Sequence, residues 1–321
     1  MRDMSYNAAH IALGTRYLAG SPDPLNQGGG VAMFQTWLPD FGLNLRASAV
    51  LLNESWAITA AHVMSTEELP AYGTLGPMTL WTGANYKTDP GTVIAADYFV
   101  DCPFGSASFR ELPDLTLIHL ETPQKWIKQV KYGTYRWDEQ LTGVGFGRYG
   151  TPAIGEVTTR DGNVRAYRGR ASSTTIWFSE TYYGDSRVYS QPYYQTEGRG
   201  MNGDSGGGFF NSAGELVGIT KAATLGTDIA GGTTFTRLDN PQVLAWIQSV
   251  TALPPACPSD ITGDRVVDDS DFVGFLRGYN ILDCADPTMP QGCLADLNAD
   301  SVVDDADFVL FIVAYEQVLC P

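Results

Sequence analysis

Basic residues are scarce in this chain: 20 Lys and Arg stand against 36 Asp and Glu, a formal net charge of −16 at pH 7. A surface this acidic repels phosphate backbones and anionic lipids, which excludes nucleic acid and membrane surfaces as favoured partners. No run approaches the roughly 20 apolar residues that a spanning helix needs, so no membrane span is expected. The N-terminal stretch MRDMSYNAAHIALGTRYLAG also lacks the apolar core of a signal peptide. Export then depends on a start outside this chain or on another route. Histidine occurs three times, at positions 10, 62 and 119, and cysteine five times. Cys102 is the single cysteine before position 257, so it has no disulfide partner there. At 321 residues, 44% of them hydrophobic, the chain can bury a sizeable core in one large domain or two. A small disulfide scaffold is ruled out for the whole.

What is present is unevenly placed. Residues 257–321 hold twelve Asp, one Glu and two Arg, a net of −11, and the preceding 256 residues carry only −5. Four cysteines lie in the same segment, at 257, 284, 293 and 320. An even number in a short segment argues for disulfides and an oxidising compartment. The segment is also duplicated. DITGDRVVDDSDFVGFLRGY from Asp260 and DLNADSVVDDADFVLFIVAY from Asp296 match at an offset of 36, which Cys257/Cys293 and Cys284/Cys320 keep. TALPPA at 251–256 is uncharged and interrupted by proline, a linker. The expected organisation is an N-terminal segment at 1–29, a large domain at 30–250, the linker, and a repeat module at 257–321.

The large domain reads as mainly β. Val31–Leu38, Leu45–Leu52, Trp56–Thr59, Leu115–Leu120, Thr175–Ser179, Glu215–Thr220 and Thr233–Thr236 are apolar or alternating runs. Short strands with frequent Gly and Pro between them indicate a sandwich or barrel. One amphipathic helix is expected at 240–250, with Val243, Leu244, Trp246, Ile247 and Val250 on one face.

Three segments carry chemistry: SWAITAAHV around His62, DLTLIHL starting at Asp114, and NGDSGGG around Ser205. A serine hydroxyl is a poor nucleophile until a base within hydrogen-bond reach takes its proton. An imidazole held in one tautomer by a buried carboxylate suits that task. The glycines around Ser205 let the backbone turn so that two N–H groups, of Gly203 and Ser205, face a developing oxyanion.

In these motifs and in their His, Asp, Ser order the chain resembles the trypsin-like (chymotrypsin-family) serine proteases. TAAH, the apolar strand after Asp114 and GDSGG are the family's signatures, and GVGFG at 143–147 is similar to its glycine-rich turn early in the second barrel. The resemblance covers roughly residues 17–250. It implies two antiparallel six-stranded β-barrels with a C-terminal helix, and His62, Asp114 and Ser205 as a catalytic triad. Two departures stand out. The Ile-Val-Gly-Gly start that pairs, in this family, with the Asp before the nucleophile (here Asp204) is missing. Arg16–Gly20 and Ile11–Gly14 are its faint echoes. The family's catalytic-domain disulfides are also missing. By resemblance, Arg199 lies at the base of the substrate pocket and Lys221 in the strand along its wall, a pair suited to an acidic side chain before the scissile bond.

The repeat module holds two twelve-residue loops. Asp260, Thr262, Asp264, Asp268 and Asp271 occupy positions 1, 3, 5, 9 and 12 of the first, and Asp296, Asn298, Asp300, Asp304 and Asp307 those of the second. Ca²⁺ takes about six to eight oxygens, and alternate residues of such a loop converge on one point, with the carbonyl of position 7, Val266 or Val302, added. Apolar helices are expected at Phe272–Tyr279 and Phe308–Tyr315. This combination resembles a cysteine-framed dockerin-like module with two EF-hand-like loops, and implies two bound Ca²⁺. Position 6, usually Gly, is Arg265 or Ser301, where strain is expected. Dockerin-like packing implies the bridges Cys257–Cys320 and Cys284–Cys293, with Cys257–Cys284 and Cys293–Cys320 as the alternative.

The expected protein is a secreted or surface-held serine endopeptidase acting on protein or peptide substrates. It needs no cofactor for catalysis and carries a Ca²⁺-dependent module for a cohesin-like or cell-surface anchoring partner. The alternatives are a vestigial protease fold serving as a binding scaffold, and an esterase using the same triad.

Overall fold

The computed structural model describes all residues except 1, 40–41, 65–75, 105–112, 152–154, 172–184, 190–199, 224–231, 253–258, 263–266, 291–292, 299 and 318–321. The chain divides into two compact units, Met1–Thr251 and Ala252–Pro321.

The first unit opens with helix α1 (Arg2–Thr15), in a segment whose sequence shows no sustained apolar stripe. Close backbone approach seats it: a Cβ on Gly14 would lie 3.0 Å from the main chain of Arg165. Strands β1 (Gly30–Leu38) and β2 (Leu43–Leu51) pair antiparallel, from Gly30 opposite Leu51 to Leu38 opposite Leu43. Strands β3 (Trp56–Thr59), β4 (Met78–Trp81), β5 (Val93–Asp101) and β6 (Thr116–Leu120) close them into a barrel of order β1-β2-β3-β6-β5-β4. After β7 (Gln140–Gly145) comes a short antiparallel pair, β8 (Tyr149–Thr151) and β9 (Gly155–Val157). Then β10 (Arg165–Ala171), β11 (Asp185–Tyr189), β12 (Gly208–Phe210), β13 (Leu216–Ala223) and β14 (Gly232–Arg237) join β7 in a second barrel, ordered β10-β11-β14-β13-β12-β7.

Phe34, Leu51, Leu80, Ile94 and Leu120 fill the first barrel, and Leu141, Phe209, Val217 and Phe235 the second. A third cluster, with Val31, Val50, Leu117, Val144, Ile219 and Trp246, joins the two. Helix α2 (Pro241–Val250) starts one residue after the expected position, because Asn240 is its cap. The Asn240 side chain accepts the N–H groups of Gln242 and Val243, and proline follows it at the first helical position. Six of the seven strand runs read from sequence fall on β1, β2, β3, β6, β13 and β14. Thr175–Ser179 lies outside the described residues.

The second unit contains helices α3 (Asp269–Tyr279) and α4 (Asp305–Gln317). Both begin three residues before the apolar runs that marked them. The cause at α3 is a capping box: the Asp268 side chain accepts from the helix start while the Asp271 carboxylate accepts the Asp268 N–H. Phe275 and Phe311 are fully buried with ring centroids 5.0 Å apart, packed with Val267, Ala295, Val303 and Ala314. The repeat is visible in reciprocal bonds: Tyr279 Oη donates to Asp305 and Tyr315 Oη to Asp269. Cys284 and Cys293 form a disulfide, which leaves no place for the alternative pairing. Cys257 and Cys320 lie outside the described residues.

Candidate active site

Each element that brings a reactive side chain to the site is held by the neighbouring one. His62 lies in a one-turn 3₁₀ helix, Ala61–Val63, directly after β3. Asp114 precedes β6, and β3 pairs with β6 from Trp56–His119 to Thr59–Thr116, so both residues leave the same end of the ladder. Asp114 is buried and accepts the backbone N–H of His62 through Oδ1 at 2.8 Å. Its Oδ2 is 2.6 Å from His62 Nδ1. On the other side of the ring, Nε2 is 2.8 Å from Ser205 Oγ. The three residues singled out from sequence are thus joined in one chain of hydrogen bonds.

The Ser205 loop is pinned across the two barrels. Ser48 N–H donates to Ser205 O at 2.9 Å, and Ser48 Oγ donates to Gly203 O at 3.1 Å. Ser48 Oγ also accepts the Phe146 N–H. On the β13 side, Gly206 N–H donates to Thr220 O at 2.9 Å. Gly203 (φ +96°) and Gly206 (φ +82°) take left-handed conformations, and a Cβ on Gly206 would stand 2.0 Å from Ser48 O. Glycine is required there by space as well as by dihedral. Among the described residues, neither the Gly203 nor the Ser205 amide donates to a protein acceptor. A nucleophile, a base with a fixed tautomer and two amides free for an oxyanion make an arrangement suited to acyl transfer.

Asp204, next to the nucleophile, is buried, with Oδ1 accepting from Gly147 N–H and Oδ2 from Met201 N–H, each at 2.8 Å. Burial pushes its carboxyl up to about 6, against the lowering effect of the two amides and of the Arg160 and Arg165 guanidinium groups. Between about pH 3.8 and 6 the unfolded chain has released a proton that the fold retains, so stability falls as pH rises through that window. The expected difference is of the order of 3 kcal/mol. Thermal melts of the wild type and Asp204→Asn at pH 4 and 6.5 check it. The variant should lose this slope, and equal slopes would contradict the assignment. The two echoes of an activation start have other places: Ile11–Gly14 belongs to α1, and Tyr17 is buried with its ring stacked 4.5 Å from that of Phe210.

Lys221 is buried at the bulge where the β13–β14 register shifts between Thr220 and Ala222. Arg199 lies outside the described residues, so the structure does not bring the two together. Sequence reasoning missed Ser48 and Arg160, which both meet Gly203, from 155 and 43 residues away. Neither belongs to a motif.

The two tail loops hold the residues expected to bind Ca²⁺. Asp264 and Val266 lie outside the described residues. Of the first loop, Asp271 is fully buried and accepts the Thr262 and Asp268 N–H groups. In the second, Asp296 accepts from Asp300 and Ser301 N–H, and Asp300 from Val302 N–H. Fully buried Asp307 accepts from Leu297, Asn298 and Asp304. Ser301, at position 6, has φ +73°, the left-handed turn that glycine usually supplies. The donors expected of the loops are all oxygens, the type that Ca²⁺ takes, but among the described residues their carboxylates do not lie within mutual metal-binding reach. Among the described residues, the one group of His, Cys, Asp and Glu ligand atoms within mutual metal-binding reach is Cys284, Cys293 and Asp296, and the two sulfurs there are the disulfide.

The comparisons with known proteins bear on the first unit. The chain is similar in structure to neuropsin, a serine protease expressed in mouse brain, at 17% identity and a TM-score of 0.51, covering 71% of this chain and 96% of that one. It is also similar to HL collagenase, at 16% identity and a TM-score of 0.53, covering 74% and 97%. At such identity the likeness carries the fold alone. No curated protein sequence matches. No described helix is long and apolar enough to cross a membrane. The model of the trypsin family matches residues 33–247, two thirds of the sequence and both barrels, and this chain belongs to the trypsin family.

Proposed function

We propose that the chain is a secreted serine endopeptidase that hydrolyses peptide bonds through an acyl-enzyme, with Ser205 as nucleophile, His62 as base and Asp114 as its orienter. The observation that carries the reading is His62 bridging Asp114 Oδ2 and Ser205 Oγ at 2.6 and 2.8 Å. His62 Nε2 takes the Ser205 proton as Oγ attacks the scissile carbonyl carbon, and the oxyanion forms against the amides of Gly203 and Ser205. The imidazolium, held by Asp114, then gives its proton to the leaving amine. Water reverses the sequence and frees the acid product. Lys221, together with Arg199, would favour an acidic side chain before the scissile bond. Digestion of casein with mass-spectrometric mapping of the new termini tests the reading: internal cleavage supports it, and hydrolysis of p-nitrophenyl esters alone assigns the triad to an esterase.

The second unit is proposed as a Ca²⁺-stabilised docking or anchoring module for a cohesin-like or cell-surface partner. Asp296, Asn298, Asp300, Asp304, Asp307 and the Val302 carbonyl would hold one ion, and Asp260, Thr262, Asp264, Asp268, Asp271 and the Val266 carbonyl another. The ions would supply charge neutralisation to a segment of net −11 and take no part in hydrolysis.

A further inference from the structure

A cationic cluster lies beside the reacting serine in a chain whose net charge is −16. Arg160 is its centre. Its Nη1 donates to the carbonyl oxygen of Arg46 at 2.8 Å, and its own carbonyl accepts from Lys87 Nζ. Its guanidinium lies against Gly203: a Cβ on that glycine would be 2.3 Å from Nη2 and 2.5 Å from Cζ. Arg46 and Lys87 hold their charges over the Tyr86 ring, 5.6 and 5.8 Å from its centre. Arg148 is near enough to repel Arg160, and its N–H donates to Asn202 O, next to Gly203. Among the described residues no carboxylate forms an ion pair with Arg160, Arg46 or Lys87. Buried Asp204, beside Gly203, offsets part of the charge at longer range.

The cluster is electrostatically incomplete. Arg160 is half-buried among like charges, where screening by water is reduced and an arriving carboxylate gains charge-assisted hydrogen bonds. Its place decides which part of a peptide it meets. β13, with Lys221, adjoins Ser205 through Gly206, and that is the side expected to receive the residue before the scissile bond. The Arg160 guanidinium instead adjoins Gly203 on one side and is bonded on another to the Arg46 carbonyl, in the first half of β2.

We propose that Arg160, supported by Arg46, Lys87 and Arg148, selects peptides with an acidic side chain within about two residues after the scissile bond, a span of about 7 Å of extended chain. This rests on the peptidase reading above. The guanidinium meets the leaving segment while its acyl partner is still attached, so the preference belongs to the acylation step. The contact is partly exposed, so the preference weakens as ionic strength rises.

The test uses the full-length protein and internally quenched peptides that share one cleavage site, with Glu, Gln or Lys placed in turn at each flanking position. Glu after the bond should exceed Lys in kcat/KM by about tenfold or more at low salt. Arg160→Ala should bring the ratio to within about twofold of parity, and Arg160→Glu should invert it. Charge indifference after the bond in the wild type would overturn the proposal, and that measurement needs no variant. So would a preference that survives in Arg160→Ala, or an Arg160→Ala that speeds every peptide alike, the mark of a guanidinium that merely obstructs. Fluorophosphonate labelling separates the two levels. A wild type that labels at Ser205 but ignores charge loses this proposal alone. One that neither labels nor cleaves loses the peptidase reading and this proposal with it.

Discussion

Replacing Ser205 with alanine lowers kcat/KM for peptide hydrolysis by about 10⁴- to 10⁶-fold, and His62→Ala costs about as much. The double variant loses little more than either single one, because the two side chains act on one proton. The geometry sets this expectation: Ser205 Oγ is within 2.8 Å of His62 Nε2, and Nδ1 is already committed to the buried Asp114. Asp114→Asn keeps the shape but offers an amide to Nδ1, which favours the wrong tautomer, and costs about 10⁴-fold. Steady-state rates on a quenched peptide measure all four variants. Near-normal turnover in Ser205→Ala would contradict the assignment, and additive losses in the double variant would contradict the shared proton.

Asp307→Ala should unfold the second unit and leave peptide hydrolysis by the first largely intact. Asp307 is fully buried, and its carboxylate is the acceptor for three backbone N–H groups, of Leu297, Asn298 and Asp304. Alanine leaves those donors without an acceptor, at about 1–3 kcal/mol for each that stays buried. A unit of 70 residues has a net stability of about 4–10 kcal/mol, so the loss is comparable to the whole. Ca²⁺ acts in the opposite direction by binding the folded loops, so wild-type resistance of residues 252–321 to added protease should rise with Ca²⁺ and fall with EDTA. Proteolysis of the full-length chain, followed on a gel with and without Ca²⁺, reads both effects. A tail whose resistance ignores Ca²⁺ and survives Asp307→Ala would leave only an acidic, disulfide-held spacer.

The legible parts of this chain were those written in local patterns. TAAH, the strand after Asp114 and GDSGG are local patterns, and the family resemblance that they carry together implied that His62, Asp114 and Ser205 share one site. The loop pattern likewise marked position 6, and Ser301 does adopt the left-handed turn there, at φ +73°. Helix boundaries were less legible, because apolar periodicity starts at Phe272 whereas α3 starts at Asp269, where a side-chain cap and not a core contact decides. Least legible were contacts that depend on the closed barrels. Nothing near Arg160 in sequence announces that its guanidinium meets Gly203, 43 residues on, and the Arg46 carbonyl, 114 residues back. Helix α1 was missed for a related reason: close backbone contact at Gly14, and not an apolar stripe, sets it against β10.

The central claim is that Ser205 attacks as a nucleophile made reactive by His62. Fluorophosphonate labelling of the full-length protein, with the adduct mapped by mass spectrometry, tests it most directly. One adduct is expected, on the peptide containing Ser205, absent in Ser205→Ala and slowed by orders of magnitude in His62→Ala. An adduct on another residue, or a Ser205 adduct that forms at the same rate without His62, would contradict it.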